Sequence, residues 1–478
     1  MPAVQPADRA ARKRRGAFYT PPDLVELLVE RTLADIDAVG DRADISTDRP
    51  VRVLDPACGD GRLLTAVGRA LVVRGHRAEL VGCDIDTDAL TTAAGSGVTV
   101  VHGSALDHDW GHQRFDIVIG NPPYLSQMAA ATTRGGSSRH GGGPYADAAA
   151  EFLMLAVELA DPSHGRVALV LPQSILASRD AGPIRARVDE LTDHAWSWWH
   201  HDQRLFDASV NVCLIGFRRP TTGPAGAHAW TSVVTDRLGI PRFDADHLAT
   251  DGTVGDRAEL NANFRDEYYA LVPAVREHLG DHDDSPPLVT SGLIDPGRCL
   301  WGTRQVTFNK RTFDRPRVDV TKLDGRFARW AERKLVPKVL VANQTRRIEA
   351  VADVHGAWLP GVPVTTVTPT TSDAAAARHL VHEIEAVLCS PVAAATAWHL
   401  GAGTGLSATS LRISPAIIAN LPWPAGDLST AIAALTADDL DGCGRAVCEA
   451  YGLTGDAAEP LVTWWTAELP ASATARRG

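Results

Sequence analysis

Long apolar runs are missing from this 478-residue sequence, which nowhere approaches the roughly 18 consecutive apolar residues of a membrane span. Cysteine is sparse: Cys58, Cys83, Cys213, Cys299, Cys389, Cys443 and Cys448 are scattered, odd in number and without a C-x-x-C pair. A disulfide framework or zinc ribbon is therefore not expected, and a reducing cytoplasm is. No Cys/His cluster has metal-ligand spacing, so no metal is expected either. The N-terminus is basic (Arg9, Arg12, Lys13, Arg14, Arg15) but lacks the apolar core of a signal peptide. Positive charge is in deficit, 47 Lys and Arg against 58 Asp and Glu, for a formal net charge of −11. That average argues against a chain coated for nucleic acid, although the placement of the basic residues matters more.

What is present is a globular mixture, 45% hydrophobic and 22% charged, too long for one ordinary domain. Between Val51 and Tyr124, short β-branched runs alternate with helical patterns. Val51–Leu54, Glu79–Cys83, Val98–Val101 and Phe115–Ile119 read as strands, and the leucine spacing after Gly61 reads as a helix. Near-continuous apolar strands in strand-helix-strand order predict an α/β fold, a doubly wound and mostly parallel sheet. A helix over Phe152–Leu159 and strands at Arg166–Leu171, Trp196–His200 and Val210–Phe217 extend it. Arg219–Ala227, rich in Pro and Gly, reads as a linker. Domains are thus expected at 1–220 and 228–425, the second of mixed α/β texture, followed by an Ala-rich helical tail over 426–478.

Three clusters carry chemistry. Asp55-Pro56-Ala57-Cys58-Gly59-Asp60-Gly61 ends the first strand, and its glycines allow close backbone approach to a ligand. The loop carries Asp55 and Asp60 where a phosphate loop would carry lysine, which suits a ligand with positive charge. Asp84, past the second strand, is placed to accept ribose hydroxyls, with Asp86 as the neighbouring competitor. Asn121-Pro122-Pro123-Tyr124 follows the fourth strand. Two prolines remove two amide donors. The Asn121 side-chain oxygen and the Pro122 carbonyl are left to accept hydrogen bonds from one amino group as it gains positive charge. Tyr124 offers a ring face to the planar group bearing that amine.

With these motifs in this order, residues 16 to about 220 resemble the gamma class of amino-methyltransferases, the TaqI-like DNA adenine-N6 methyltransferases of restriction-modification systems. The resemblance implies a Rossmann-like catalytic domain that binds S-adenosylmethionine, followed by a target-recognition domain. It places Tyr19 and Thr20, in Gly16-Ala17-Phe18-Tyr19-Thr20-Pro21-Pro22, at the methionine end of the cofactor. Locally, Thr20 reads as a helix N-cap with Pro21 at the first helical position. It also assigns Asp55, Ala57, Gly59, Asp84, Ile85 and Asn121 to the cofactor site, Asn121, Pro122 and Tyr124 to catalysis, and Phe206 to the second face of a flipped base. One motif departs: Ser104 stands where the family usually has an acid facing the cofactor's adenine, and Asp107 is the alternative.

Between residues 301 and 350 stand 13 Lys and Arg against 5 Asp and Glu, with Trp301, Phe308, Phe313, Phe327 and Trp330 among them. Such a stretch suits phosphate contacts, with Arg315, Arg317, Arg346 and Arg347 as candidates for DNA binding. The Gly/Arg/His-rich loop over 126–147 could order over DNA. The expected substrate is adenine N6 in double-stranded DNA, flipped out of the helix. Cytosine N4 is chemically close; RNA or protein-glutamine methylation, and a catalytically silent binding subunit, are the competing readings. A monomer is expected, with a separately encoded restriction endonuclease or defence partner implied by the resemblance.

Overall fold

The computed structural model describes residues 20–38, 49–124, 140–143, 146–199, 211–219, 229–263, 265–407 and 409–467. Tyr19, Phe206 and most of the 126–147 loop lie outside them. The chain divides into two compact units, Met1–Arg237 and Leu238–Gly478.

In the first unit, helix α1 (Pro22–Ala38) precedes β1 (Val51–Asp55), α2 (Arg62–Val73), β2 (Ala78–Asp84), α3 (Thr87–Gly95), β3 (Thr99–His102) and β4 (Ile117–Gly120). Then come α4 (Ala148–Leu159), β5 (Arg166–Pro172), α5 (Gly182–Leu191), β6 (Asp193–Trp198) and β7 (Val212–Arg218). The seven strands pair in the order β3-β2-β1-β4-β5-β7-β6. Strands β1 to β5 run parallel, and β7 lies antiparallel between β5 and β6. Every residue of β4 and β5 is buried, as expected of central strands covered on both faces. The outermost β3 is largely exposed. Helix α2 buries Leu63, Leu64, Val67 and Leu71, one face at helical spacing, and Gly68 lets it approach Leu80 of β2.

The strand order reverses between β1 and β4, whose register pairs Val53 with Ile117 and Leu54 with Val118. A reversal of this kind opens a crevice at the carboxyl ends of the two strands. Asp55 closes β1 there and Asn121 directly follows β4.

In the second unit, β8 (Ala258–Ala262) is followed by a hairpin, β9 (Val306–Phe308) and β10 (Arg311–Phe313), then α6 (Gly325–Lys334). Next are β11 (Lys338–Ala342), β12 (Ala350–Asp353), β13 (Val364–Pro369) and the helices α7 (Ala374–Leu388) and α8 (Pro391–Gly401). An antiparallel sheet forms in the order β12-β11-β13-β8. The Ala-rich segment read as a tail instead supplies core: α9 (Leu440–Ala450) and α10 (Glu459–Thr466) pack on α8, with Tyr451 and Trp465 buried. Small residues let these helices approach closely, since a Cβ on Gly444 would lie 2.8 Å from the Trp465 ring. Among the described residues no single helix is long and apolar enough to cross a membrane.

Candidate active site

The site grows from two loops that one glycine allows to touch. A Cβ on Gly120 would lie 2.9 Å from Asp55 Oδ1 and 3.5 Å from Pro56 Cδ, so only glycine lets the start of the Asn121 motif approach the Asp55 loop. Gly82 does the same behind the loop, where a Cβ would meet Cys58 Sγ at 2.6 Å. Gly59 and Gly61 turn the chain through left-handed backbone, φ +51° and +74°, into α2.

Asp55 is buried, and its Oδ1 accepts the Ala57 amide at 3.0 Å. Burial first, and the nearby Asp84 charge in addition, push its carboxyl up to about 7. No cationic side chain pairs with Asp55 among the described residues. Asp60 behaves differently. Its carboxylate is paired with Arg62 at 2.7 Å, so the sequence reading of two carboxylates available to a cation is corrected to one. Arg62 also donates to the Thr20 carbonyl at 3.3 Å and thereby ties the start of α1 to the glycine loop. Neither Arg62 nor Gly120 was singled out in the sequence; the Arg two residues beyond Asp60 was the available signal.

Asp84 and Asp86 separate cleanly. Asp86 caps α3, accepting the amides of Asp88 and Ala89. Asp84 Oδ2 accepts the Gly59 amide at 2.7 Å and Oδ1 the Asp86 amide at 2.9 Å, which fixes the carboxylate beside the glycine loop. Next to it, Ile85 is 57% exposed, an apolar surface open at the mouth of the crevice. The Gly103 amide donates to the Asp84 carbonyl, bringing half-buried Ser104 to the same rim, where the Ser104 carbonyl accepts the Asp107 amide.

Thr20 is buried but does not cap a helix: α1 begins at Pro22, and the Leu24 and Val25 amides bond the Pro21 carbonyl. Two successive prolines shift the helix start by one residue, and the freed Thr20 Oγ1 accepts Asn121 Nδ2 at 3.0 Å. Asn121 Oδ1 in turn accepts the Tyr124 hydroxyl, which also lies 3.3 Å from the Val170 carbonyl. Tyr124 and Pro122 are buried. Thr20, Asp55, Ala57, Gly59, Asp84, Ile85, Asn121 and Tyr124 are thus gathered by the ends of β1, β2 and β4.

Residues 5–194 match the N-6 DNA Methylase family. Over 144 residues the chain is 29% identical to the Type II methyltransferase M.BanIII of Aneurinibacillus aneurinilyticus, covering 26% of this chain and 24% of that one. Over 218 residues it is 25% identical to the modification methylase CviBIII of Paramecium bursaria Chlorella virus NC1A, covering 44% of this chain and 52% of that one. The chain therefore spans from a quarter to about half the length of these relatives. Among solved structures it aligns with the type I restriction enzyme EcoKI M protein at 19% identity and a TM-score of 0.35, over 46% of this chain and 49% of that one. The first unit has a doubly wound, mostly parallel sheet, and S-adenosylmethionine is the cofactor that the matched family implies. The residues present fit it: a buried carboxyl without a cationic partner among the described residues, two glycines turning the chain into α2, an acid held by two backbone amides and an exposed apolar side chain at Ile85.

The four basic candidates of the second unit do not share one role. Arg315 is exposed. Arg317 donates to His278 Nδ1 at 2.9 Å and to the Ser285 carbonyl, lies 3.9 Å from Asp283, and stacks on Trp301. Arg346 donates to the Ala467 carbonyl at 2.8 Å, and Arg347 to the Thr466 carbonyl at 3.3 Å while lying over the Trp465 ring. Burial, with repulsion from Arg347 in addition, lowers Arg346 to about 10. These three guanidinium groups are thus each bonded to a backbone carbonyl within the unit.

Proposed function

We propose that this protein is a site-specific, TaqI-like DNA methyltransferase that methylates adenine N6 in double-stranded DNA as the protective part of a restriction-modification system. The observation that carries the reading is the approach of Asn121 to the Asp55 loop at the β1/β4 reversal, which sets an amide acceptor beside a cation-seeking cofactor loop. S-adenosylmethionine, when bound, supplies an electrophilic methyl group.

The protein's part is positioning and charge stabilisation. Thr20 holds the Asn121 amide by its nitrogen and so orients Oδ1 as the acceptor. The target amine would donate to Oδ1, which would hold its nitrogen toward the electrophilic methyl group that the cofactor would supply. Positive charge growing on that nitrogen strengthens the hydrogen bonds to Asn121 and to the Pro122 carbonyl. Tyr124 holds one face of the base after it leaves the stack, and the resemblance assigns the other face to Phe206.

Incubation of the protein with labelled S-adenosylmethionine and unmethylated genomic DNA, followed by nucleoside analysis, tests this. N6-methyladenine at a recurring sequence is the expected product. Label in N4-methylcytosine would overturn the target base, and label in RNA or protein alone would overturn the DNA reading.

A further inference from the structure

The β9/β10 hairpin turns through only two residues: Phe308 pairs with Arg311, and Asn309 and Lys310 lie between them. Both have left-handed backbone, φ +48° and +61°. A two-residue turn of this hand favours Asn-Gly, because the second position penalises a Cβ that glycine lacks. Here that position holds a lysine. Its side chain and that of Arg311 are exposed, and neither is ion-paired with a carboxylate among the described residues. The hairpin is nonetheless firmly rooted, since Phe308 and Phe313 belong to a buried cluster with Val318, Trp330 and Leu359. Helix α6 is anchored in the same cluster through Trp330 and Ala331, and its Arg329 and Arg333 are likewise exposed without an ion-pair partner.

We propose that this hairpin is a DNA-contacting ribbon, with Lys310 at its tip and Arg311 beside it meeting duplex phosphates. A rigid base, two uncompensated cations and a lysine kept where glycine would be less strained all fit a polyanionic duplex. On the exposed face Thr307 and Thr312 stand opposite one another, a pair of hydroxyls facing the same partner. The inference rests on the DNA reading given above.

The test uses the full chain with two variants, Lys310→Gly and Lys310→Gln, titrated with duplex DNA across a series of salt concentrations. Lys310→Gly relieves the backbone and should melt no lower than the parent; Lys310→Gln keeps the strain and removes only the charge. Both should bind DNA several-fold more weakly, with the slope of log K against log salt shallower by about one. Unchanged affinity and slope in both variants, while the parent binds DNA, would overturn the hairpin assignment alone. A parent that binds no duplex DNA would overturn the DNA reading and this inference with it.

Discussion

The Tyr124 hydroxyl donates its hydrogen bond to Asn121 Oδ1, the atom that the proposed reaction requires as acceptor for the incoming amine. An amide oxygen has two lone pairs, so an incoming amine either shares Oδ1 with this internal donor or displaces it. Asn121→Ala should lower turnover by about 10²-fold or more, the scale for losing a transition-state hydrogen-bond partner, while cofactor binding by calorimetry is retained. Tyr124→Phe should keep turnover within about tenfold, because the ring stays and only the competing hydroxyl is lost.

Asp55 supplies a pH-dependent test. Its carboxyl is raised to about 7 from an ordinary 3.8, so the fold favours the neutral acid. The sign follows: below pH 3.8 the group is protonated folded or unfolded and has no effect. Ionisation then costs the cofactor-free protein progressively more stability as pH rises to about 7, and no more beyond. Asp55→Asn should thus melt higher than the parent at pH 8, by on the order of a few kcal/mol at most, and the gap should close toward pH 4. Cofactor affinity of the parent should increase as pH rises through 7, and the variant should lose both affinity and that dependence.

A second ionic cluster predicts the opposite behaviour in acid. Asp116, buried where β4 begins, accepts both Arg49 guanidinium nitrogens at 2.7 and 2.6 Å, the Arg52 amide at 2.7 Å and His164 Nε2 at 2.6 Å. Despite opposing burial, these partners hold its carboxyl below the usual range, and Asp116 in turn raises His164. The Asp116 contribution is present above the ordinary carboxylate pKa and lost as pH falls through its lowered folded value. That of His164 is complete below its ordinary 6.5 and lost as pH rises through its raised value. Asp116→Asn should destabilise by about 3 kcal/mol near neutral pH, the scale of a broken buried ion pair, and flatten melting temperature against pH on the acid side.

Arg346 and Arg347 discriminate between a scaffold role and a phosphate role. Replacing both with Ala should remove the bonds to the Ala467 and Thr466 carbonyls and cost about 1–2 kcal/mol of stability in the second unit. The salt dependence of DNA binding should stay as in the parent. A shallower slope with unchanged melting would return these residues to the DNA surface.

Much of the site was legible because its parts are local. A strand, an acid and two glycines specify the Asp55 loop, and N-P-P-Y after a buried strand specifies the acceptor. The directions of β6 and β7 and the pairings of distant residues were not. Nothing in Arg346 or Arg347 announces a carbonyl some 120 positions away, and their charge alone pointed to phosphate. Thr20 read as a cap because one proline after it fits that position; the second moved the helix start and turned the hydroxyl to Asn121. Alternation of small and apolar residues after 426 said helix, but could not say which wall of which core it would form.

That wall has a practical consequence for dissecting the protein. A fragment of the second unit cut at residue 425 would strip α9 and α10 from α8, baring to water the face on which they pack. Such a piece should aggregate, and its failure to bind DNA would say nothing about recognition. The smallest meaningful fragment of this half must run through Trp465 to Ala467, where the two arginines moor its last helix.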